Sequence, residues 1–361
     1  MSADKVLVTG ATGFLATHIV DVLLSKGYKV IGTARSEAKY EPLLKEFQAK
    51  YPQGDLSFEI VQDIGAPNAF DEVLKKHNDI KHVLHTASPH IFGTNKSPEE
   101  AYKIPALEGT KNVLRAIKDH APQVEHVVIT SSYVTMIEFS QAKQPPANAD
   151  FFWSTLTEQP PANEDYWSSL SWDQVGDDEL KAYSSSKKLA EEVAWDFVKT
   201  ESPHFALTTL TPPYIFGPQV FDSQVGKTLN TSNQVIINAS DIDPSTIEAQ
   251  KDNSILFIDV RDIAFAHVAP LSTTSMNNKR IFTASSFFCN QSVLNAMNKI
   301  PALKGKVAVG DPSYCDSEEF KKGLREIDNS ASVKLLGNIQ FISLDKSVAD
   351  IYEQYYRVNK I

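Results

Sequence analysis

Thr9-Gly10-Ala11-Thr12-Gly13-Phe14-Leu15-Ala16 follows the apolar run Val6-Leu7-Val8 and opens a segment with Leu15, Ile19, Val22 and Leu23 at helical spacing. A buried strand, a glycine turn and an amphipathic helix in that order form a site for the pyrophosphate of a dinucleotide. Gly10 permits the tight turn, Gly13 lets the backbone approach the phosphates, and the small Ala16 lets the helix pack close to the sheet. Thr12, Phe14 and Leu15 join the two glycines as candidate cofactor contacts, because the first turn of the helix presents free N–H groups to an anion.

Outward from this turn, Val30–Ala34, Phe58–Val61, Val83–His85, Val127–Thr130 and Ala206–Leu210 read as further buried strands. Stretches with helical periodicity separate them, which predicts an α/β fold: a doubly wound parallel sheet of the Rossmann type with helices on both faces. After Thr211 the alternation lapses, apart from a strand-like Ile255–Val260 and a helix-like Arg261–Ala269. The expected organisation is a nucleotide-binding domain over 1–211, with 252–270 returning to it, and a smaller C-terminal substrate-binding lobe from 212–251 and 271–361.

In such a sheet the ligand lies beyond the carboxyl ends of the strands, so the residues that follow each strand are the ones to read. The second strand ends in Ala34-Arg35-Ser36, with Lys39 one helical turn on. An NAD enzyme usually carries Asp or Glu here. Arg35 can instead clamp an adenosine phosphate bidentately while Lys39 adds a point charge, so the expected cofactor is NADPH/NADP+. Asp63 and Ile64 follow the third strand and suit the amino group and face of adenine; Asp63 suits a helix cap equally well. Thr86, Ala87 and Ser88 are expected along the cofactor's ribose, Thr130 at the end of the fifth strand, and His85 as a packed strand-end residue rather than a base.

Tyr183-Ser-Ser-Ser-Lys187 begins a helix continued by Leu189, Val193 and Phe197. Four-residue spacing puts the phenol and the ammonium on one face, where the cation is expected to lower the phenol's pKa toward the working range. A third group must hold a substrate carbonyl. Ser132 and Ser131, just past the fifth strand, are the two choices.

With Val8–Ala16, Ala34–Ser36, Val83–Pro89, Val128–Tyr133, Ala182–Lys188, Tyr214–Gln219, Leu229–Ser232 and Ile258–Asp262, the chain resembles the extended branch of the short-chain dehydrogenase/reductase family. Within it, the similarity is to the dihydroflavonol-reductase-like group, which contains yeast NADPH-dependent methylglyoxal and aldehyde reductases. The resemblance implies Tyr183 as proton donor, Lys187 as phenol activator and ribose binder, and Ser132 as the carbonyl's partner. It also implies Pro212 and Ser232 at the cofactor, and a substrate pocket including His90, Phe92, Val134, Ile137 and Tyr214. The reaction it implies is hydride transfer from NADPH to a small aldehyde or ketone such as methylglyoxal, a branched aldehyde, an aryl ketone or a keto ester. Two alternatives share these motifs: an NAD-dependent sugar-nucleotide epimerase or dehydratase, and a non-catalytic NADP sensor. Pro213 departs from the small aliphatic residue usual after Pro212.

A second departure is a tandem repeat. Gln144-Pro-Pro-Ala-Asn-Ala-Asp150, then Phe-Phe-Trp153, is echoed by Gln159-Pro-Pro-Ala-Asn-Glu-Asp165, then Tyr-Trp167. Proline-rich and without a sustained period, it reads as a surface loop, either a neutral elaboration or a lid; the resemblance implies that the first copy is inserted and the second ancestral.

Composition agrees with a small-molecule enzyme. With 361 residues, 42% hydrophobic and 22% charged, the chain is of ordinary globular make-up. The net charge of -10 argues against nucleic-acid or anionic-membrane partners. Cys289 and Cys315, the only cysteines, lack metal-site spacing, so no metal is expected. A cytoplasmic protein is the expectation, since the N-terminus runs straight into the first strand, and a monomer or homodimer is expected.

Overall fold

Val6, Leu7 and Val8 are all fully buried, as a strand covered on both faces requires. A computed structural model describes residues 4–88, 93–139, 159–242 and 255–360. They give strands β1 (Lys5–Thr9), β2 (Lys29–Ala34), β3 (Leu56–Ile60), β4 (Ile80–His85), β5 (His126–Thr130), β6 (Ala206–Leu210), β7 (Tyr214–Phe216), β8 (Ile255–Asp259), β9 (Lys279–Ile281) and β10 (Ser286–Phe288). The helices that position the site are α1 (Phe14–Ser25), α2 (Glu37–Lys50), α3 (Asp71–Lys76), α4 (Ile104–His120), α5 (Glu179–Glu201), α6 (Thr231–Asn238) and α7 (Val260–Val268). Four more, α8 (Asn290–Asn298), α9 (Glu318–Lys322), α10 (Ser330–Leu335) and α11 (Leu344–Asn359), complete the set. Among the described residues no helix is long and apolar enough to cross a membrane.

By contact density the chain divides into two units, one of residues up to 135 with 167–211 and 264–281, the other of 136–166, 212–263 and 282–361. In the first, seven parallel strands run in the order β3-β2-β1-β4-β5-β6-β9. The winding reverses between β1 and β4, so the crevice for a ligand opens beyond Thr9 and His85. Leu7 packs with Val113, Leu114 and Ile117 of α4 and Ala194 of α5 in one cluster; Val6 and Val8 turn to the opposite face. Phe58–Val61 was expected to be a buried strand, but β3 is the sheet's edge and Ile60 is 49% exposed.

The second unit has its own sheet, in the order β10-β8-β7, packed through Phe216, Phe257 and Phe288 with ring centroids 4.8–6.3 Å apart. Ile255–Asp259, assigned from sequence to the nucleotide-binding domain, pairs here with β7 and β10. The late strand that joins the large sheet is β9, whose three residues are too short to read as a strand from periodicity. The motif Ile258–Asp262 serves as scaffold: Arg261 Nε donates to Asp259 (2.8 Å) and its Nη1 to Asp350 of α11 (2.7 Å), while Asp262 accepts from the Ile342 N–H (2.7 Å).

The second copy of the repeat is built into this unit. Gln159 exchanges two 3.0 Å hydrogen bonds with the backbone of Glu138, and the Tyr166 hydroxyl donates to the Glu138 carboxylate (2.8 Å). Glu164 accepts from the Ser332 N–H at 3.0 Å and from its hydroxyl, and Ala162 bridges to Ile327. The first copy lies outside the described residues.

Candidate active site

The glycine turn has the conformation its sequence implies. Gly10 sits at φ +66°, and a Cβ there would lie 3.1 Å from the Cα and Cβ of Ala87, so a side chain is excluded by backbone angle and by space. Gly13 is the N-cap of α1, which has no acidic residue in its first turn. Its positive end is therefore uncompensated within the helix and suits an anion. Thr9 ties the neighbouring strand end into place: its hydroxyl accepts from the N–H groups of Thr86 and Ala87, both at 3.1 Å, and pairs with His85 Nδ1 at 2.9 Å.

From this turn an open cleft of about 810 Å³ runs past Arg35 and Lys39 to Asp63 and Ile64, with Thr12 and Gly13 on one side and Thr86, Ala87 and Ser88 on the other. Arg35 and Lys39 are exposed, and among the described residues neither side chain is in an ion pair. Two free cations, a cradle that a Cβ would fill and an uncompensated helix end fit a dinucleotide with an extra phosphate. Asp63 is not a helix cap, since its carboxylate closes a turn onto the Gly65 N–H (2.8 Å). Ile64 packs over Gly109 of α4, where a Cβ would come within 2.9 Å. The loop is fixed by a residue the sequence reading missed: Asn112 donates to the carbonyls of Ile64 (2.9 Å) and Ala66 (2.7 Å). Phe14 and Leu15 stand in the first turn of α1, Phe14 edge-on to His18, and neither side chain lines the cleft.

Beyond β5 the residues expected to react converge. Asp178 caps α5 through the N–H groups of Leu180 and Lys181, each at 3.0 Å, which starts the helix four residues before Tyr183. The Tyr183 hydroxyl is hydrogen-bonded to Ser132. Ser131 turns away and donates to Glu191 at 2.5 Å. The geometry thus separates the two serines. Lys187, buried, donates to the carbonyl of Thr130 (2.8 Å), whose hydroxyl pairs with His267 of α7 (2.7 Å).

The electrostatics differ from the expectation that Lys187 lowers the pKa of Tyr183. Burial pushes the phenol up to about 12, opposed by the Ser132 hydrogen bond; burial pushes the Lys187 ammonium down to about 8, opposed by Glu191. Desolvation outweighs the pairing because the Lys187 ammonium is directed at the Thr130 carbonyl rather than at the phenol. His85 is held neutral, its pKa lowered to about 3 by burial and by Lys187, in keeping with a packed strand-end residue.

Below Lys187 lies a second missed feature. Glu191, with no exposed side-chain surface, accepts from Ser131, from Thr209 of β6 (2.7 Å) and from Arg280 of β9 (2.9 Å). Arg280 also stacks 3.9 Å over Trp167 and donates to Thr135 (2.5 Å). The signal was present in the sequence: Glu191 follows Tyr183 and Lys187 at the same four-residue spacing, a carboxylate on a face that packs inward.

Of the remaining expected residues, Val134 is buried in the first unit; Ile137, buried, and Pro212, Tyr214 and Ser232 belong to the second. Tyr214 opens β7 with its ring 6.0 Å from Phe288, and Ser232 is in the first turn of α6. His90 and Phe92 lie outside the described residues.

Residues 6–284 match the model of the NAD dependent epimerase/dehydratase family. The chain is 39% identical to the NADPH-dependent methylglyoxal reductase of Saccharomyces cerevisiae, with 97% of each chain covered, and 32% identical to a ketoreductase of Aspergillus niger, with 96% of each covered. The crystal structure of yeast methylglyoxal/isovaleraldehyde reductase complexed with NADPH matches with a TM-score of 0.87 at 36% identity over 99% of both chains. Fold, glycine turn and sequence agree: the chain belongs to the NAD dependent epimerase/dehydratase family, the extended short-chain dehydrogenase/reductases.

Proposed function

We propose that this protein is an NADPH-dependent carbonyl reductase that converts small aldehydes or ketones to alcohols. The observation that carries the reading is the Tyr183–Ser132 hydrogen bond beside buried Lys187, on the same sheet edge as a cleft whose β2 corner presents Arg35 and Lys39 instead of an acid. The related methylglyoxal reductase and ketoreductase support it. The missing acid disfavours an epimerase that retains NAD, and the intact tyrosine and lysine disfavour a mere sensor.

Gly10, Gly13 and the α1 N-terminus would hold the pyrophosphate, Arg35 and Lys39 the adenosine phosphate, and Asp63 and Ile64 the adenine. The chemistry NADPH supplies when bound is a hydride for the carbonyl carbon. Ser132 donates a hydrogen bond to the carbonyl oxygen, and Tyr183 protonates that oxygen as it becomes an alkoxide. A phenol with a pKa near 12 carries its proton at neutral pH, and an alkoxide is basic enough to take it. Lys187 as an ammonium stabilises the phenolate left behind. Pro212 and Ser232 at the cofactor, and His90, Phe92, Val134, Ile137 and Tyr214 at the substrate, rest on the family resemblance.

We place the enzyme in the cytoplasm as a monomer or homodimer. NADPH consumption over diketones, branched aldehydes, aryl ketones and keto esters tests the reading. Turnover of at least one class with NADPH preferred over NADH is the expected result. Tightly retained NAD with no net oxidation of NADPH would overturn it.

A further inference from the structure

We infer that the buried Glu191–Arg280 pair is a positioning device that sets the protonation of Lys187 from beneath, with Glu191 as the residue that keeps the ammonium charged. The inference rests on the role proposed above for Lys187.

The geometry has two parts. Glu191 lies one turn past Lys187 on α5, and opposite charges four residues apart on a helix are neighbours. Both line a narrow cavity of about 10 Å³ with His85, Thr110, Thr130 and Ser131 in its wall, space for about one water, so bulk solvent does not screen them. Glu191 also holds Ser131, the residue between Thr130, whose carbonyl receives Lys187, and Ser132, which meets Tyr183. One carboxylate thereby fixes the strand end that both reacting groups touch.

The charges around Lys187 come from every packed element: neutral His85 on β4, Tyr183 and Glu191 on α5, Arg280 on β9, and His267 beside Thr130 from α7. Of these, only Glu191 favours the ammonium. Arg280 partly cancels it at longer range and is itself held in place by Trp167 and Thr135. The two members of the pair must then act on Lys187 with opposite signs. A pair that served only to hold the fold would not.

The test uses that opposition. Lysine labelled with carbon-13 at Cε reports the titration of Lys187, assigned by its absence in Lys187→Arg, and the upper pH limit of kcat/KM is measured in parallel. Glu191→Gln should lower the Lys187 midpoint by about one pH unit or more, and Arg280→Met should raise it. The alkaline fall of activity should move with it in each case. Arg280→Lys keeps the cation and should stay near the parent value. If Glu191→Gln does not fold, the upward shift in Arg280→Met against an unmoved Arg280→Lys still decides. An unmoved Lys187 titration, or shifts of the same sign in both variants, overturns the inference whatever happens to the rate. A titration that moves while the activity limit stays fixed supports the inference and instead removes Lys187 from the catalytic reading.

Discussion

The two ends of the first unit's ligand edge handle positive charge in opposite ways. Arg35 and Lys39 at the adenosine end are exposed and have no ion-pair partner among the described residues. Lys187 and Arg280 at the reacting end are buried, each against named oxygen acceptors. An exposed cation can be exchanged at little structural cost, because water replaces whatever it loses. A buried one is bound to its surroundings, since removing either partner leaves an uncompensated charge. On the function proposed above, cofactor choice is written on a replaceable surface and chemistry on a preorganised interior.

Four measurements can break or sharpen this contrast. Tyr183→Phe preserves the ring and removes the acid, so kcat should fall by about 10³-fold while NADPH binding, followed by fluorescence, is nearly unchanged; unchanged steady-state rates would remove Tyr183 from the mechanism. At the exposed end, Arg35→Asp should shift the ratio of kcat/KM for NADPH over NADH toward NADH by about 10- to 100-fold with the melting temperature close to the parent's. An unmoved ratio means that the β2 corner does not read the phosphate.

The third measurement is acid stability. His85 has a folded-state pKa of about 3, below the unfolded value near 6.5, so the unfolded chain takes up the proton first. The stability present above pH 6.5 is therefore lost as pH falls through that window toward 3, at up to about 1.4 kcal/mol per pH unit. His85→Gln should flatten the fall of melting temperature between pH 6.5 and 4, and an unchanged slope would show that other groups carry it. The smallest effect belongs to deletion of Gln144–Glu158, which restores one repeat and should leave activity and melting temperature close to the parent's. A large loss of activity with folding intact would give the inserted copy a part in the site.

The same contrast explains what could be read in advance. Arg35, the glycine turn and the Tyr183/Lys187 spacing follow strand ends or a helix period, and local chain geometry is what a sequence records. Glu191, Arg280 and Asn112 act through partners up to 145 positions away, and no local pattern pairs them. The pKa of Tyr183 was misjudged for a related reason. The spacing shows that a lysine stands a turn away, but neither how deeply both are buried nor that Thr130 receives the ammonium. Ser131 and Ser132 are told apart only by their partners on α5, Glu191 for the first and Tyr183 for the second, and that pairing needs the helix packed against the end of β5.

The repeat has one further consequence, for how the chain finds its fold. Two near-identical segments offer two candidates for a single seat against Glu138 and Ser332, a situation that invites mispairing during folding. The copies differ where the seat discriminates. Ala149 stands where Glu164 receives Ser332, and Phe151 follows Asp150 where Tyr166, the hydroxyl donor to Glu138, follows Asp165. The upstream copy is translated first and keeps Gln144 where Gln159 binds Glu138, yet it lacks the other two anchoring groups, so the competition between the duplicates favours the downstream copy.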